Sequence, residues 1–146
     1  MSHVFLFPGQ GSQRPGMGAD FHARSEPARE VLDRTAARMG TAFLDTLFHA
    51  DQETLNDTRV AQVGLLALGV AIARHLGAHG IAPAGCAGHS LGEIPALVVA
   101  GALKFDDALR VTCERARLMS EDVPPGGMAA VIGLDAAEIE AALPDG

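Results

Sequence analysis

The chain has 146 residues, 48% of them hydrophobic, and carries 18 acidic against 11 basic side chains for a net charge of -7. That length suffices for one domain with a proper core, and the acidic balance argues against a nucleic-acid or anionic-membrane surface. Met1-Ser2-His3 leads straight into an apolar run without a charged leader or cleavage site, and the longest apolar stretch, Val63 to Ala73, is too short to span a bilayer. A cytoplasmic protein without nucleic-acid or membrane partners is expected. Cys86 and Cys113 are isolated and lack metal spacing, so they read as reduced, partly buried thiols, and no metal is expected.

Taken in order, Val4 to Phe7 reads as a short buried strand that leaves its sheet at Pro8. A glycine-rich loop follows, Gly9 to Gly18, but it is not a phosphate loop. The G-x-x-x-x-G spacing from Gly11 to Gly16 is followed by Met17-Gly18 where Lys-Ser/Thr is required, and a G-x-G-x-x-G from Gly9 would need glycine where Arg14 stands. What remains is a loop whose backbone can approach another group closely, with Gln10 and Gln13 offering amides. Ser25 is placed to cap a helix that has Pro27 in its first turn, buries Val31, Leu32, Thr35 and Met39, pairs Glu30 with Arg34, and stops at Gly40. Phe43 to Phe48 suggests a further short helix and Asp51 to Thr58 a polar connector. Val60 to His79 is apolar nearly all round, so as a helix it must lie under other structure. Gln62 is its one uncharged polar residue near the start.

Gly88-His89-Ser90-Leu91-Gly92 matches the G-x-S-x-G pattern, in which a serine sits on a sharp strand-to-helix turn. Ala84 to Ala87 is small enough to be the end of a buried strand, and Leu91 to Leu103 is apolar enough for a buried helix. On such a turn the positions two before and two after the serine come close together, and a Cβ at either would collide with the other, which gives both glycines a steric purpose. Helix N-terminal N–H groups and the macrodipole then favour a developing oxyanion near Ser90. The pattern alone also fits a structural turn; the flanking strand and helix favour a nucleophile. Pro95 removes an N–H five residues past Ser90, so the first helical turn is expected to be irregular.

Asp106 is expected to cap the next helix, which continues to about Glu121 with Arg110, Glu114, Arg117 and Glu121 on one solvated face. Arg115 is off that face, among Val111, Thr112, Leu118 and Met119, so its guanidinium either snorkels outward or meets a buried acceptor; spacing favours the first. A strand over Met128 to Leu134 and a helix opened by the capping box Asp135 to Glu138 close the sequence. Three strands are few for this much apolar helix, which suggests part of a larger α/β fold. All six histidines, His3, His22, His49, His75, His79 and His89, precede Ser90, so a Ser-Asp-His order cannot be completed here. His89 adjoins the serine, but neighbours on a sharp turn point apart.

Phe7-Pro8-Gly9-Gln10-Gly11-Ser12-Gln13, Gly88-His89-Ser90-Leu91-Gly92-Glu93 and Arg115 together resemble the malonyl-CoA:acyl carrier protein transacylases and the acyltransferase domains of polyketide synthases. The resemblance covers essentially the whole chain but only about the first half of that family's catalytic domain. It implies an α/β-hydrolase-like large subdomain with a short parallel sheet over residues 1–125. Residues 126–146 would open a small ferredoxin-like subdomain. It further implies ping-pong transfer of a malonyl group from coenzyme A, through an ester on Ser90, to the phosphopantetheine thiol of an acyl carrier protein, with no bound cofactor. Backbone N–H groups of Gln10 and Leu91 match the family's oxyanion hole, Arg115 its carboxylate-binding arginine, and Gln62 a glutamine lining its pocket, to which His89 is also assigned. The catalytic histidine would lie in a C-terminal half, on another chain or missing, so the chain alone is expected to be inactive. Ile94-Pro95 and Val63 depart from the family's usual residues and bear on the pocket wall. With Met1 three residues before the first strand, a discrete enzyme is expected rather than an excised domain. Two other readings stay open: a serine thioesterase or acyl hydrolase on the same elbow, and a non-catalytic subunit that binds a carrier protein.

Overall fold

The computed structural model describes residues 2–121 and 131–143. Two strands, β1 (His3–Phe7) and β2 (Pro83–Gly88), pair in parallel with Phe7 opposite Gly88 and a shift in register after His3. Parallel strands need a long crossover, and here it consists of α1 (Ala19–Arg24), α2 (Glu26–Met39), α3 (Ala42–His49), α4 (Gln52–Leu55) and α5 (Thr58–Ala78). Beyond β2 come a 3-10 turn (Ser90–Gly92), α6 (Glu93–Val99), α7 (Phe105–Leu118) and α8 (Ala136–Ala142).

The helices end where local chemistry stops them. Ser25 caps α2 by accepting from Ala28 N–H, with Pro27 in the first turn, and Gly40 ends it at φ 99°. Asp135 and Glu138 form the expected capping box of α8. Asp51 caps α4 through Thr54 N–H and Asp57 caps α5 through Arg59 and Val60 N–H, so the stretch read as a polar connector is instead a corner with a helical turn in it. Lys104, not Asp106, precedes α7; Asp106 lies in the first turn and ion-pairs with Arg34 of α2, which therefore does not pair with Glu30. That pairing holds the Arg34 guanidinium above its ordinary pKa, chiefly through the hydrogen bond.

The core lies between α2, α5 and α7, where Leu32, Leu47, Leu55, Val63, Leu66, Val70 and Leu109 are buried in one cluster. At 21 residues α5 is long and apolar enough to cross a membrane on length and composition alone, which corrects the estimate from its central run. Its burial gives another cause for that apolarity: residues 61–67 are all buried, packed under α2 and α7. The expected strand at the end of the chain is not formed over residues 131–134, and residues 128–130 lie outside the described ones. Nor is β1 buried as expected. Phe7 is buried, whereas Val4 and Leu6, on the opposite face, are 62% and 76% exposed. A strand buries both faces only when a layer covers each, and among the described residues one face is bare.

Candidate active site

Because β1 and β2 run the same way, the loops that leave their carboxyl ends emerge together, the usual location of ligand sites on parallel sheets. His89 N–H donates to Phe7 C=O at 3.0 Å, stitching the turn after β2 to the end of β1. The approach is too close for side chains. A Cβ on Gly92 would lie 2.1 Å from Phe7 O, and one on Gly88 would lie 2.0 Å from the Gly92 carbonyl. A Cβ on Gly9 would fall 2.8 Å from His89 Nδ1. The pair of elbow glycines thus acts as expected at Gly88, while Gly92 makes room for β1.

Ser90, on the turn between β2 and α6, has φ 54°, the one positive value for a non-glycine among the described residues. Such a backbone costs of order 1–3 kcal/mol and persists only where the surroundings enforce it. The enforcement comes from the glycine contacts and from the Gly92 N–H bond to His89 C=O at 2.9 Å. A 3-10 turn precedes α6, which is the irregular start expected from Pro95. The Ser90 side chain is exposed, and Leu91, beside it, is buried. Among the described residues neither Leu91 N–H nor Gln10 N–H has a protein acceptor.

Arg115 reaches this turn from α7. Its guanidinium donates to Ser90 Oγ at 3.1 Å in an exposed contact, so the side chain reaches outward, as spacing suggested, and meets an accessible hydroxyl rather than a buried acceptor. Of the arginines on α7, Arg110 and Arg117 are ion-paired to Asp107 and to Glu114 and Glu121, whereas Arg115 has no carboxylate partner among the described residues. Pairing with Arg117 holds the Glu114 carboxyl below its ordinary range.

Gln62 is fully buried on α5 and donates through Nε2 to Gln10 Oε1 at 3.1 Å and to Met119 Sδ at 3.4 Å. Its Oε1 is buried with no protein partner among the described residues. Gln10 Nε2 in turn meets Thr58 Oγ1 at 3.2 Å, so α5 holds both ends of the Gln10 amide. His89 is exposed and makes no side-chain hydrogen bond to Ser90, and no other described histidine does. Sequence reasoning missed Gln52, Asn56 and Thr58 as loop partners because the corner carrying them read as connector. The amide-rich spacing of Gln52 and Asn56, four apart and so on one side of a helical turn, was the available signal. A separate cleft of about 760 Å³, lined by Arg34, Val70, Arg74, Pro83 and Phe105 among others, includes none of Ser90, Gln10, Leu91 or Arg115.

Among the described residues no group of three metal-ligating side chains assembles. What the site offers is a strained, accessible hydroxyl, backbone donors at a helix start, and a guanidinium in contact with the hydroxyl. Residues 4–146 match the family model of the acyl transferase domain, so the chain belongs to that family. It is 42% identical over 135 residues to a malonyl CoA-acyl carrier protein transacylase of Bacillus subtilis, covering 91% of this chain and 43% of that protein. An acyl-carrier-protein S-malonyltransferase of Burkholderia pseudomallei superimposes with a TM-score of 0.85 at 41% identity, over 97% of this chain and 47% of that one. A malonyl-transacylase solved with the acyl carrier protein of a type II polyketide synthase matches with a TM-score of 0.77 at 38% identity, over 85% of this chain and 40% of its own. The chain therefore spans less than half the length of these relatives.

Proposed function

We propose that this chain is the nucleophile-bearing part of a malonyl transacylase that moves a malonyl group from coenzyme A to an acyl carrier protein. Ser90 Oγ attacks the thioester carbonyl, its proton passes to a base, and the coenzyme A thiolate leaves with a proton to give a malonyl ester on Ser90. The carrier's phosphopantetheine thiol then attacks that ester, forming the new thioester and returning the serine hydroxyl. N–H groups of Gln10 and Leu91 stabilise the oxyanion in both steps, each worth about 2.7–4 kcal/mol of barrier. Arg115 holds the free carboxylate of the malonyl group through charge-assisted bonds of about 1.5–3 kcal/mol each. Gln62 and His89 line the acyl pocket, where the buried Gln62 Oε1 is an acceptor awaiting a donor. No cofactor is needed.

The base lies in the part of the family fold that this chain does not span. That portion also covers the bare face of β1. We assign residues 1–125 to the large α/β-hydrolase-like subdomain and 126–146 to the opening of the small one.

One observation carries the reading: a guanidinium without a carboxylate partner among the described residues, 3.1 Å from a serine at positive φ. The test supplies the chain with a polypeptide covering the rest of the family fold, adds malonyl-CoA, and measures intact mass. A malonyl-sized increase on Ser90, absent in Ser90→Ala, is expected. Arg115→Ala should lower malonyl relative to acetyl labelling by about 10- to 100-fold. Acetyl transferring faster than malonyl in the unaltered protein would give the site to a neutral acyl substrate instead.

A further inference from the structure

Gln13 is 2% exposed, although glutamine in a glycine-rich loop is ordinarily solvated. Its Oε1 accepts from Gly11 N–H at 2.8 Å and its Nε2 donates to Asn56 Oδ1 at 2.8 Å. Gln52 Nε2 donates to the same Asn56 oxygen at 2.9 Å and to the Gln13 carbonyl at 3.2 Å. Amide oxygen and nitrogen are distinguished by their hydrogen-bond partners, and here the backbone fixes both ends of the network. Gly11 N–H can only donate, so Gln13 must turn Oε1 to it and Nε2 to Asn56. The Gln13 carbonyl can only accept, so Gln52 must turn Nε2 to the loop. Asn56 then has to offer oxygen to both neighbours, and it does. Three side-chain amides are oriented without a conflict.

We propose that this amide staple is a positioning device for the acyl transfer: by holding the Gln10–Gly11 peptide, Gln13, Asn56 and Gln52 restrict the backbone torsions of Gln10 and so aim its N–H, in the preceding Gly9–Gln10 peptide, before substrate arrives. This rests on the acyl-transfer reading above and deepens it. Gly11 is at φ 103°, and the bond from its N–H to Gln13 fixes the peptide that follows Gln10. On the other side Arg14 donates to the carbonyls of Gly11 at 3.2 Å and Gln13 at 2.8 Å. The Gln10 side chain is clamped independently by Thr58 and Gln62. A donor held beforehand needs no reorganisation when charge develops, which is where such a donor gains its effect. None of the three staple residues hydrogen-bonds Ser90, so they act through Gln10 and are positioning residues.

Two amide-to-acid isosteres separate this from a general structural role. Asn56→Asp leaves an acceptor facing both donors, whereas Gln13→Glu keeps the acceptor for Gly11 but aims a second one at Asn56 Oδ1. The Asn56 amide cannot rotate away from that clash without opposing Gln52 Nε2. Equal in charge and size, the two changes should have unequal effects. In the chain completed as above, Ser90 is treated with malonyl-CoA and, separately, with an alkyl fluorophosphonate. The phosphonate forms a Ser90 Oγ–P bond, expels fluoride and leaves a phosphoryl oxygen for the same donors.

Gln13→Glu and Asn56→Leu should lower the rate constant about ten-fold or more with little change in KM, and Asn56→Asp should stay within about two-fold. Asn56 is exposed, so its two variants carry the comparison even if Gln13→Glu unfolds, with Tm measured for each. Equal rates for Asn56→Leu and Asn56→Asp overturn the staple. Phosphonate labelling of the unaltered protein without malonyl labelling overturns the malonyl reading and leaves the staple to the phosphonate rates. No labelling by either reagent overturns both, because a poised oxyanion site must activate Ser90.

Discussion

The two faces of the small sheet are built from the same kinds of residue and fare differently. Along β1, Phe7 is buried against α5 and α6, with its ring 3.1 Å from where a Cβ on Gly69 would stand, while Val4 and Leu6 face outward and are mostly accessible. The same division continues on α7. Ala108, Leu109, Thr112 and Ala116 are buried, whereas Val111 and Leu118 are more than half exposed and flank Arg115 at i, i+4 and i+7. The Arg115 guanidinium thus sits between two apolar residues that nothing among the described residues covers. Apolarity marks which residues are suited to burial; only a second layer buries them. Both elements pack one face into the closed core and leave apolar residues on the other uncovered among the described residues.

The largest expected effect tests the closed side at the elbow. Gly92→Ala would drive a Cβ into the Phe7 carbonyl, backbone against backbone, and should cost more than about 3 kcal/mol in urea unfolding. Gly85→Ala, on β2 with nothing within 4 Å of its Cβ, is the control and should be nearly neutral. Next comes a contrast across the two sides. Leu66→Ala, fully buried on α5, should cost about 2–5 kcal/mol, and Leu6→Ala, on the bare face, no more than about 0.5 kcal/mol. Equal costs would mean that the outer face is covered in solution. Leu6→Asp should leave the chain's own unfolding midpoint unchanged yet weaken association with an added polypeptide that covers the rest of the family fold at least ten-fold, since it places a carboxylate in a newly desolvated contact.

Which features were legible in the sequence follows from the range of the interactions involved. The α2 cap and stop and the α8 capping box are local, with all partners within a few residues, and each forms as its sequence indicates, whereas the elbow is legible as a turn but also leans on Phe7 of β1. Arg115 could be placed off the solvated face of α7 from spacing, but its target is 25 residues away, and only the fold brings Ser90 to it. The Arg34–Asp106 pair spans 72 positions and took precedence over the helical neighbour Glu30. Burial of β1 was misjudged because an apolar run cannot report whether its second covering layer lies within the chain. The loop staple was missed for a related reason. Gln13 is visible as an amide in a loop, yet its role depends on Asn56, 43 residues on, in a stretch whose polarity resembled a linker.

The smallest expected effect concerns the corner that carries the staple. Asp51 caps α4 one residue before Gln52, and its carboxyl is held below the ordinary range, chiefly by the Thr54 N–H and then by the Thr54 hydroxyl. A carboxyl with a lowered folded-state pKa contributes stability that is present above its unfolded value, roughly pH 4, and is lost as pH falls through the folded one. Asn is as good an N-cap as Asp but does not titrate. Asp51→Asn should therefore flatten the acid limb of the stability profile while changing little near neutrality. Glu114 is lowered in the same direction by Arg117 on the exposed face of α7, so ionic strength distinguishes the two. Salt near 1 M screens a solvent-exposed ion pair, with a Debye length of about 3 Å, but leaves a cap bond to a backbone N–H largely intact. Urea midpoints between about pH 2.5 and 6 at low and high salt should show the Asp51 contribution surviving and the Glu114 contribution fading. If both fade together, the cap is acting as a diffuse charge at the helix start rather than as a hydrogen bond, and the corner beneath the loop is looser than its geometry indicates.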